Sequence, residues 1–231
     1  MIPVLGIPVI GRPDLLAQCL ASIDEPSSRL VIIDNSPHGL GDAARSECPP
    51  SVGELCVTRP PSNLGYAGSI NHVIKTHADA PWWCFTAADV VFGPGDLARL
   101  ASVMAGARWV GVNGDWRAFG LTSEAVDRVG LWDENFYPAY CEDADYEYRC
   151  TLAGVEWGFI DGTTTHGGST TIQEARYAER NRSTYPANRA YFRAKWGGEL
   201  RGGEAFTTPF DKGGSVADWT LDLRRLRDQA W

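Results

Sequence analysis

The sequence predicts an α/β protein whose central sheet is mostly parallel and carries helices on both faces. Three observations carry that prediction. Short aliphatic runs alternate with stretches of helical spacing through the first half of the chain. Those runs end in polar or acidic turns. After about residue 105 the pattern changes to short strand candidates, an aromatic and acidic run, and one long helical stretch. Strand-helix alternation implies crossover connections, and crossovers build parallel sheets.

Taken in order, Val4–Ile10 is a short apolar run punctuated by proline. Arg12-Pro13-Asp14 and the amphipathic stretch Leu15–Ile23 follow it, which predicts strand, turn and helix. Pro13 falls at the first helical position, where a missing N–H costs nothing. Leu30–Ile33 is an aliphatic run ending in Asp34-Asn35-Ser36-Pro37, a buried strand leading into a polar turn. Leu55–Thr58 is a third strand and Gly65–His77 a helix. Trp82–Thr86 is a buried strand ending in Ala87-Ala88-Asp89, and Pro94–Met104 is helical behind Gly93-Pro94-Gly95. Ligands of such sheets collect at the carboxyl ends of the strands. Asp34, the segment around Asn63, and Asp89 all fall there.

In the second half, Trp109–Leu121 predicts strands and Ser123–Val129 a short helix. Phe136–Tyr148 is aromatic and acidic, Asp143–Ala153 predicts a helix stopped by Gly154, and Val155–Ile160 a strand. A small-residue loop holds His166. Glu174–Trp196 is helical with Pro186 expected to interrupt it, a glycine-rich segment follows, and Asp218–Trp231 closes the chain as an Arg-rich helix.

The composition bounds the function. The chain has 231 residues, 44% hydrophobic and 22% charged, the balance of a globular domain rather than a disordered one. Its net charge of -8 argues against nucleic acid as a partner. The start is broken by Pro3, Gly6 and Pro8 and does not read as a signal peptide, and no stretch is long and apolar enough for a membrane span. The six cysteines form no CxxC pair and read as reduced thiols, which gives the cytoplasm as the expected location.

Four groups of residues carry chemistry. Asp89, ending a buried strand, is placed to hold a hard dication on a diphosphate, or serves as a turn former ahead of Pro94. Glu142-Asp143-Ala144-Asp145 sets three carboxylates within four residues beside Tyr137, Tyr140 and Cys141. Mutual repulsion and apolar neighbours suit one of them to general-base work, while an acidic helix start is the plainer use. His166, before Gly167-Gly168, is free to ligate a metal or simply to cap a loop. Gly65-Tyr66-Ala67-Gly68 opens a helix whose amides could receive an anion, or marks close packing.

In their order along the chain these pieces resemble family 2 glycosyltransferases of the GT-A fold, in particular a rhamnosyltransferase-like branch. The matching pieces are Ile7-Pro8-Val9-Ile10-Gly11-Arg12-Pro13, Val31-Ile32-Ile33-Asp34-Asn35-Ser36, Asn63-Leu64-Gly65-Tyr66-Ala67-Gly68-Ser69-Ile70-Asn71 and Asp89. They continue with Phe136-Tyr137-Pro138-Ala139-Tyr140-Cys141-Glu142-Asp143, His166-Gly167-Gly168-Ser169 and Lys195-Trp196-Gly197. The resemblance implies a Rossmann-like central sheet with a small second sheet and C-terminal helices. It implies a domain over 1-198, with a nucleotide half of about 1-105 and an acceptor half of about 106-198. The remainder, 199-231, would pack on it as a glycine-rich loop and helix.

By the same resemblance, Pro8 and Asp34 hold the base and ribose of a nucleoside-diphosphate sugar, UDP or dTDP being favoured. Asn63, Gly65 and Asn71 line the diphosphate side, and Asp89 and His166 ligate Mn²⁺ or Mg²⁺. Asp143 is the general base and Glu142 orients it or touches the sugar. The implied reaction is an inverting transfer to a carbohydrate, lipid-linked sugar or protein hydroxyl, by a monomer or homodimer with peripheral membrane contact open. The sugar pocket is expected around Trp116–Gly120.

One departure stands out: the first acid of the family's Asp-x-Asp is Ala87 here. A non-catalytic nucleotide- or carbohydrate-binding module on the same fold is therefore the alternative. A sugar nucleotidyltransferase fits less well, because its glycine-rich basic signature is missing from Ile7–Pro13.

Overall fold

A computed structural model describes residues 1–40, 42–168, 175–198 and 200. Ser169 and, Leu200 apart, the expected glycine-rich segment and closing helix of 199–231 lie outside the described residues.

The chain runs β1 (Ile2–Val9), α1 (Pro13–Ala21), β2 (Ser27–Asp34), α2 (Ala43–Ser46), β3 (Val52–Thr58), α3 (Gly65–Thr76), β4 (Trp82–Thr86) and β5 (Val90–Val91). It continues α4 (Asp96–Val103), β6 (Trp109–Val112), β7 (Ala118–Thr122), α5 (Ser123–Val129), α6 (Glu142–Leu152), β8 (Trp157–Ile160), β9 (Thr165–His166) and α7 (Ala175–Trp196). Pro13 opens α1 as predicted. Pro186 does not interrupt its helix but sits inside α7, on an exposed face.

Seven strands form one sheet in the order β3-β2-β1-β4-β7-β6-β8, and β7 alone runs against the rest. Consecutive residues of the inner strands feed opposite cores. Val4, Trp83 and Phe85 pack with Ile70, Val73 and Ile74 of α3. Leu5, Ile7 and Cys84 pack with Leu16 and Leu20 of α1 and Leu97 and Leu100 of α4. A strand buried on both faces must be apolar throughout, which is why these segments read as unbroken runs. The strand order turns back between β1 and β4, so the crevice beyond their carboxyl ends is the natural ligand site.

The second sheet has two short strands, β5 and β9, paired antiparallel with Val90 opposite His166. A third apolar cluster, Phe136, Cys141, Phe192 and Trp196, fastens α7 to the segment before α6. All six cysteines are free thiols. Among the described residues no helix is long and apolar enough to cross a membrane.

Candidate active site

The pairing of β5 with β9 brings two predicted residues together across a wide gap in sequence. His166 Nε2 lies 3.1 Å from Asp89 Oδ1, both side chains largely buried. Asp96 holds the segment that delivers His166. It is fully buried at the start of α4, and its oxygens accept from Gly93 N, Thr163 N and Thr164 Oγ1, with Arg99 beside it. Burial works against the charged form, but the Thr164 hydroxyl and the Gly93 and Thr163 amides hold the Asp96 carboxyl below its ordinary range.

On the other side of the imidazole, His166 Nδ1 faces two donors, Gly168 N at 3.0 Å and Arg117 Nη1 at 3.2 Å. Nδ1 is therefore the accepting nitrogen, and Nε2 carries its proton toward Asp89. The donor types suit a hard or borderline dication. Among the described residues no group of three or more His, Cys, Asp and Glu is placed to hold a metal ion, so Asp89 and His166 are the two protein groups on offer here. Ligation at Nε2 also requires the imidazole proton to move to Nδ1.

The acidic pair opens α6. Tyr140 (φ 79) and Cys141 (φ 76) adopt left-handed backbone just before it, a costly conformation for residues with a Cβ. Asn188 of α7, itself buried, supports this bend by donating to Ala139 O at 2.9 Å and Tyr140 O at 3.1 Å. Asp143 is half-buried and its Oδ1 accepts the Ala144 amide at 2.8 Å. Glu142 is buried, and its Oε2 has no hydrogen-bond partner among the described residues. Burial, then the charge of Asp143, pushes its carboxyl well above the ordinary range. Glu142 thus favours its neutral form.

Asp145 does not serve the start of α6, as a plain acidic helix opening would suggest. Its oxygens accept from Trp196 Nε1 at 2.8 Å, Lys195 Nζ at 2.6 Å and Arg149 Nε at 2.9 Å. Lys195 also reaches Asp133 Oδ2 at 2.7 Å. This buried chain of alternating charges locks α7 to α6.

Several residues predicted to line the cleft are spent inside the fold. Asn71 donates to Trp132 O and Glu134 Oε1 at 2.8 Å each and accepts Trp132 N at 2.9 Å, so its amide joins α3 to the 132–134 loop and not to a ligand. The start of α3 is not open to an anion either. Leu64 N donates to Asn35 Oδ1, Gly65 N to Asn63 Oδ1 and Tyr66 N to Pro138 O. Gly65 serves close approach of the 137–138 segment. Asp34 shapes the loop after β2 by accepting Ser36 N and Leu40 N, both at 2.9 Å. Pro8 is buried in β1 opposite Ile33. Trp116 and β7 belong to the core: the Trp116 ring packs against Trp109 and Trp132, and Ala118–Gly120 are buried, so of the expected pocket stretch Arg117 alone is exposed.

Tyr66 ties the two ends together. Its hydroxyl donates to Trp116 O at 3.0 Å. Its phenol is pushed upward by burial first and then by Glu142, Asp143, Asp115 and Asp89. One side chain therefore senses both the acidic pair and the Asp89 end. Local pattern gave no sign of Asp96 or Asn188, because each works through partners distant in sequence.

The family described as glycosyl transferase family 2 matches residues 5–159, about two thirds of the chain. A galactofuranosyl glycosyltransferase of Leishmania donovani is 39% identical over 75 residues, 32% of this chain and 17% of that protein. The chain thus matches about a sixth of the length of that relative. S. aureus TarS 1-349 in complex with UDP-GlcNAc superposes with a TM-score of 0.54 at 13% identity, covering 69% of this chain and 56% of that one. Glucosyl-3-phosphoglycerate synthase from Mycobacterium tuberculosis, in complex with Mn²⁺, UDP and glucosyl-3-phosphoglycerate, superposes with a TM-score of 0.52 at 11% identity over 81% and 80% of the two chains. At these identities the likeness is one of fold.

Proposed function

This chain belongs to glycosyl transferase family 2, and we propose that it moves a sugar from a nucleoside-diphosphate sugar to an acceptor hydroxyl with inversion, Asp143 acting as general base. The observation that carries the reading is the pairing of β5 with β9, which brings His166 Nε2 within 3.1 Å of Asp89 Oδ1 just beyond the carboxyl end of β4. A donor bound there would have its diphosphate near Asp89 and His166 and its anomeric carbon toward Asp143.

The acceptor oxygen attacks the anomeric carbon, its proton passes to Asp143, and the bond to the diphosphate oxygen breaks with the electron pair leaving on that oxygen. A half-buried carboxylate at the start of α6 suits the base role. Glu142, kept neutral, offers an O–H to a sugar hydroxyl. The loop that Asp34 shapes after β2 would face the base and ribose, and the Asn63 segment the diphosphate side. Asp89 and His166 would hold Mn²⁺ or Mg²⁺, which when bound neutralises the departing diphosphate. UDP is the favoured nucleotide, since the TarS and glucosyl-3-phosphoglycerate synthase structures hold UDP or a UDP-sugar; dTDP comes next. We place the nucleotide half at about 1-105 and the acceptor half at about 106-198, and a cytoplasmic location goes with the reading. A carbohydrate, lipid-linked sugar or protein hydroxyl would serve as acceptor.

Thermal-shift titration with UDP, dTDP, GDP and CDP, each with and without Mn²⁺, tests the donor site. A ligand selective for the fold adds about 2.7 kcal/mol at one hundred times its Kd. A Mn²⁺-dependent rise with UDP supports the reading. A flat response to all four nucleotides would leave the non-catalytic module in its place.

A further inference from the structure

Ala87 leaves the end of β4 one carboxylate short, and the residue bonded to it across the strands is a cation. Ala87 N donates to Arg117 O at 2.8 Å. The Arg117 side chain is half-exposed and runs to His166, with Nη1 3.2 Å from Nδ1. Asp115 fixes it from behind: Asp115 Oδ1 accepts Arg117 N at 2.8 Å, and Oδ2 accepts Nε at 2.7 Å and also meets Nη2. The local charge is then Asp89 and Asp115 against Arg117, one net negative charge. Such a surround holds a dication less firmly than two uncompensated acids would, and it already contains a donor fork matched to phosphate.

We propose that Arg117 binds the diphosphate of the donor directly, giving this chain a nucleotide affinity that persists without a divalent ion. The inference rests on the donor-site reading above. Asp115 takes up Nε and Nη2, and among the described residues Nη1 meets the accepting nitrogen of an imidazole at a half-exposed position. Nη1 is therefore the corner of the fork that a phosphate oxygen can take over from His166 with the Asp115 pair kept.

Calorimetric titration of the full chain with UDP and with uridine, in Mn²⁺ and in EDTA, tests the proposal. Wild type in EDTA is expected to bind UDP about tenfold or more tightly than uridine. Arg117→Ala should lower UDP affinity to the level of uridine in EDTA and leave uridine affinity unchanged, which a merely misfolded variant would not do. Arg117→Lys should keep part of the difference, since the charge survives without the fork. If UDP binds wild type with Mn²⁺ while EDTA erases its advantage over uridine, or while Arg117→Ala leaves UDP affinity as it was, Arg117 is not a diphosphate contact and the donor site stands. If wild type binds neither UDP nor uridine in either condition, the donor-site reading falls and this proposal with it.

Discussion

The carbonyl oxygen of Pro138 lies 2.7 Å from the point where a Cβ on Gly65 would stand, and it accepts the Tyr66 amide at 2.7 Å. The first turn of α3 and the segment leading to Glu142-Asp143 therefore touch backbone to backbone. Gly65 also has a φ of +72°, which an L side chain adopts at a cost of about 1–3 kcal/mol. Gly65→Ala adds that strain to a clash with a carbonyl that cannot swing away. Its denaturation midpoint should fall by at least that much in free energy, and transfer should fall further, because relief of the clash moves the base segment. An unchanged midpoint would show that the two segments are not rigidly coupled.

The architecture was legible because strands buried on both faces have to be apolar throughout, and helices flanking them have to repeat their apolar residues. What was not legible lies in elements without a pattern of their own. The four-residue α2 and the two-residue β5 and β9 carry no periodicity; the last two exist because Val90 pairs with His166. Pro186 is tolerated within α7 on an exposed face, while the Asn188 and Lys195–Trp196 ties hold the helix in place, so a local breaker signal yields to tertiary packing. Asn71 and Gly65 fell within the stretch that resembled the family, yet their partners, Trp132 and Pro138, sit in another part of the chain that spacing cannot bring near. The Asp145–Lys195–Asp133 connection has the same character.

If Asp143 accepts the acceptor proton, Asp143→Asn removes a base and no donor contact. Turnover should drop by about two to four orders of magnitude while UDP affinity stays within about twofold. Steady-state kinetics beside calorimetry reads both. Near-normal turnover would remove Asp143 from the role.

Glu142 makes stability depend on pH with a definite sign. The folded state keeps its carboxyl protonated where the unfolded chain ionises it, so unfolding releases a proton. Its contribution is whole below the ordinary value near 4.5 and is lost as pH rises from there through the raised folded value. The slope approaches about 1.4 kcal/mol per pH unit within that window. Glu142→Gln cannot titrate, and its curve of midpoint against pH should be shallower on that side. Parallel curves would mean that the carboxyl ionises in the fold as it does outside it.

Lys195 lies between Asp133 and Asp145. Although burial opposes it, the Lys195 ammonium holds the Asp133 carboxyl below its ordinary range. Lys195→Met fills similar volume, takes from Asp133 the cation that faces it and leaves Asp145 to Arg149 and Trp196. Removing one partner of such a network costs about 3–5 kcal/mol. Chemical denaturation should show a loss of that order, largest at neutral pH and smaller in acid, where the stranded Asp133 carboxylate can be protonated. A loss independent of pH would assign the effect to packing against Phe136 and Trp196.

Asn188 tests whether the bend before α6 is held or merely tolerated. Tyr140 and Cys141 are both left-handed, and the carbonyls of Ala139 and Tyr140 accept from the same Asn188 amide. Left-handed backbone at two consecutive residues with side chains persists only where its surroundings over-determine it. The amide is the side-chain group that supplies this restraint from α7. Asn188→Ala deletes both hydrogen bonds without adding bulk, so the bend can relax toward ordinary backbone and carry Glu142 and Asp143 with it. Displacement of a reacting group by about 1 Å costs on the order of a hundredfold in rate. The expected signature is a large fall in kcat with UDP affinity unchanged, because the Asp89–His166 end hangs from Asp96 and α4 instead. Cys141→Gly made on top of Asn188→Ala should recover stability, since glycine accepts the left-handed conformation, but not kcat, since the loop remains untethered. Recovery of kcat in the double variant would show that relieving strain at Cys141 is enough to place the acids. A single variant with normal kcat would show that the bend keeps its shape without the α7 amide.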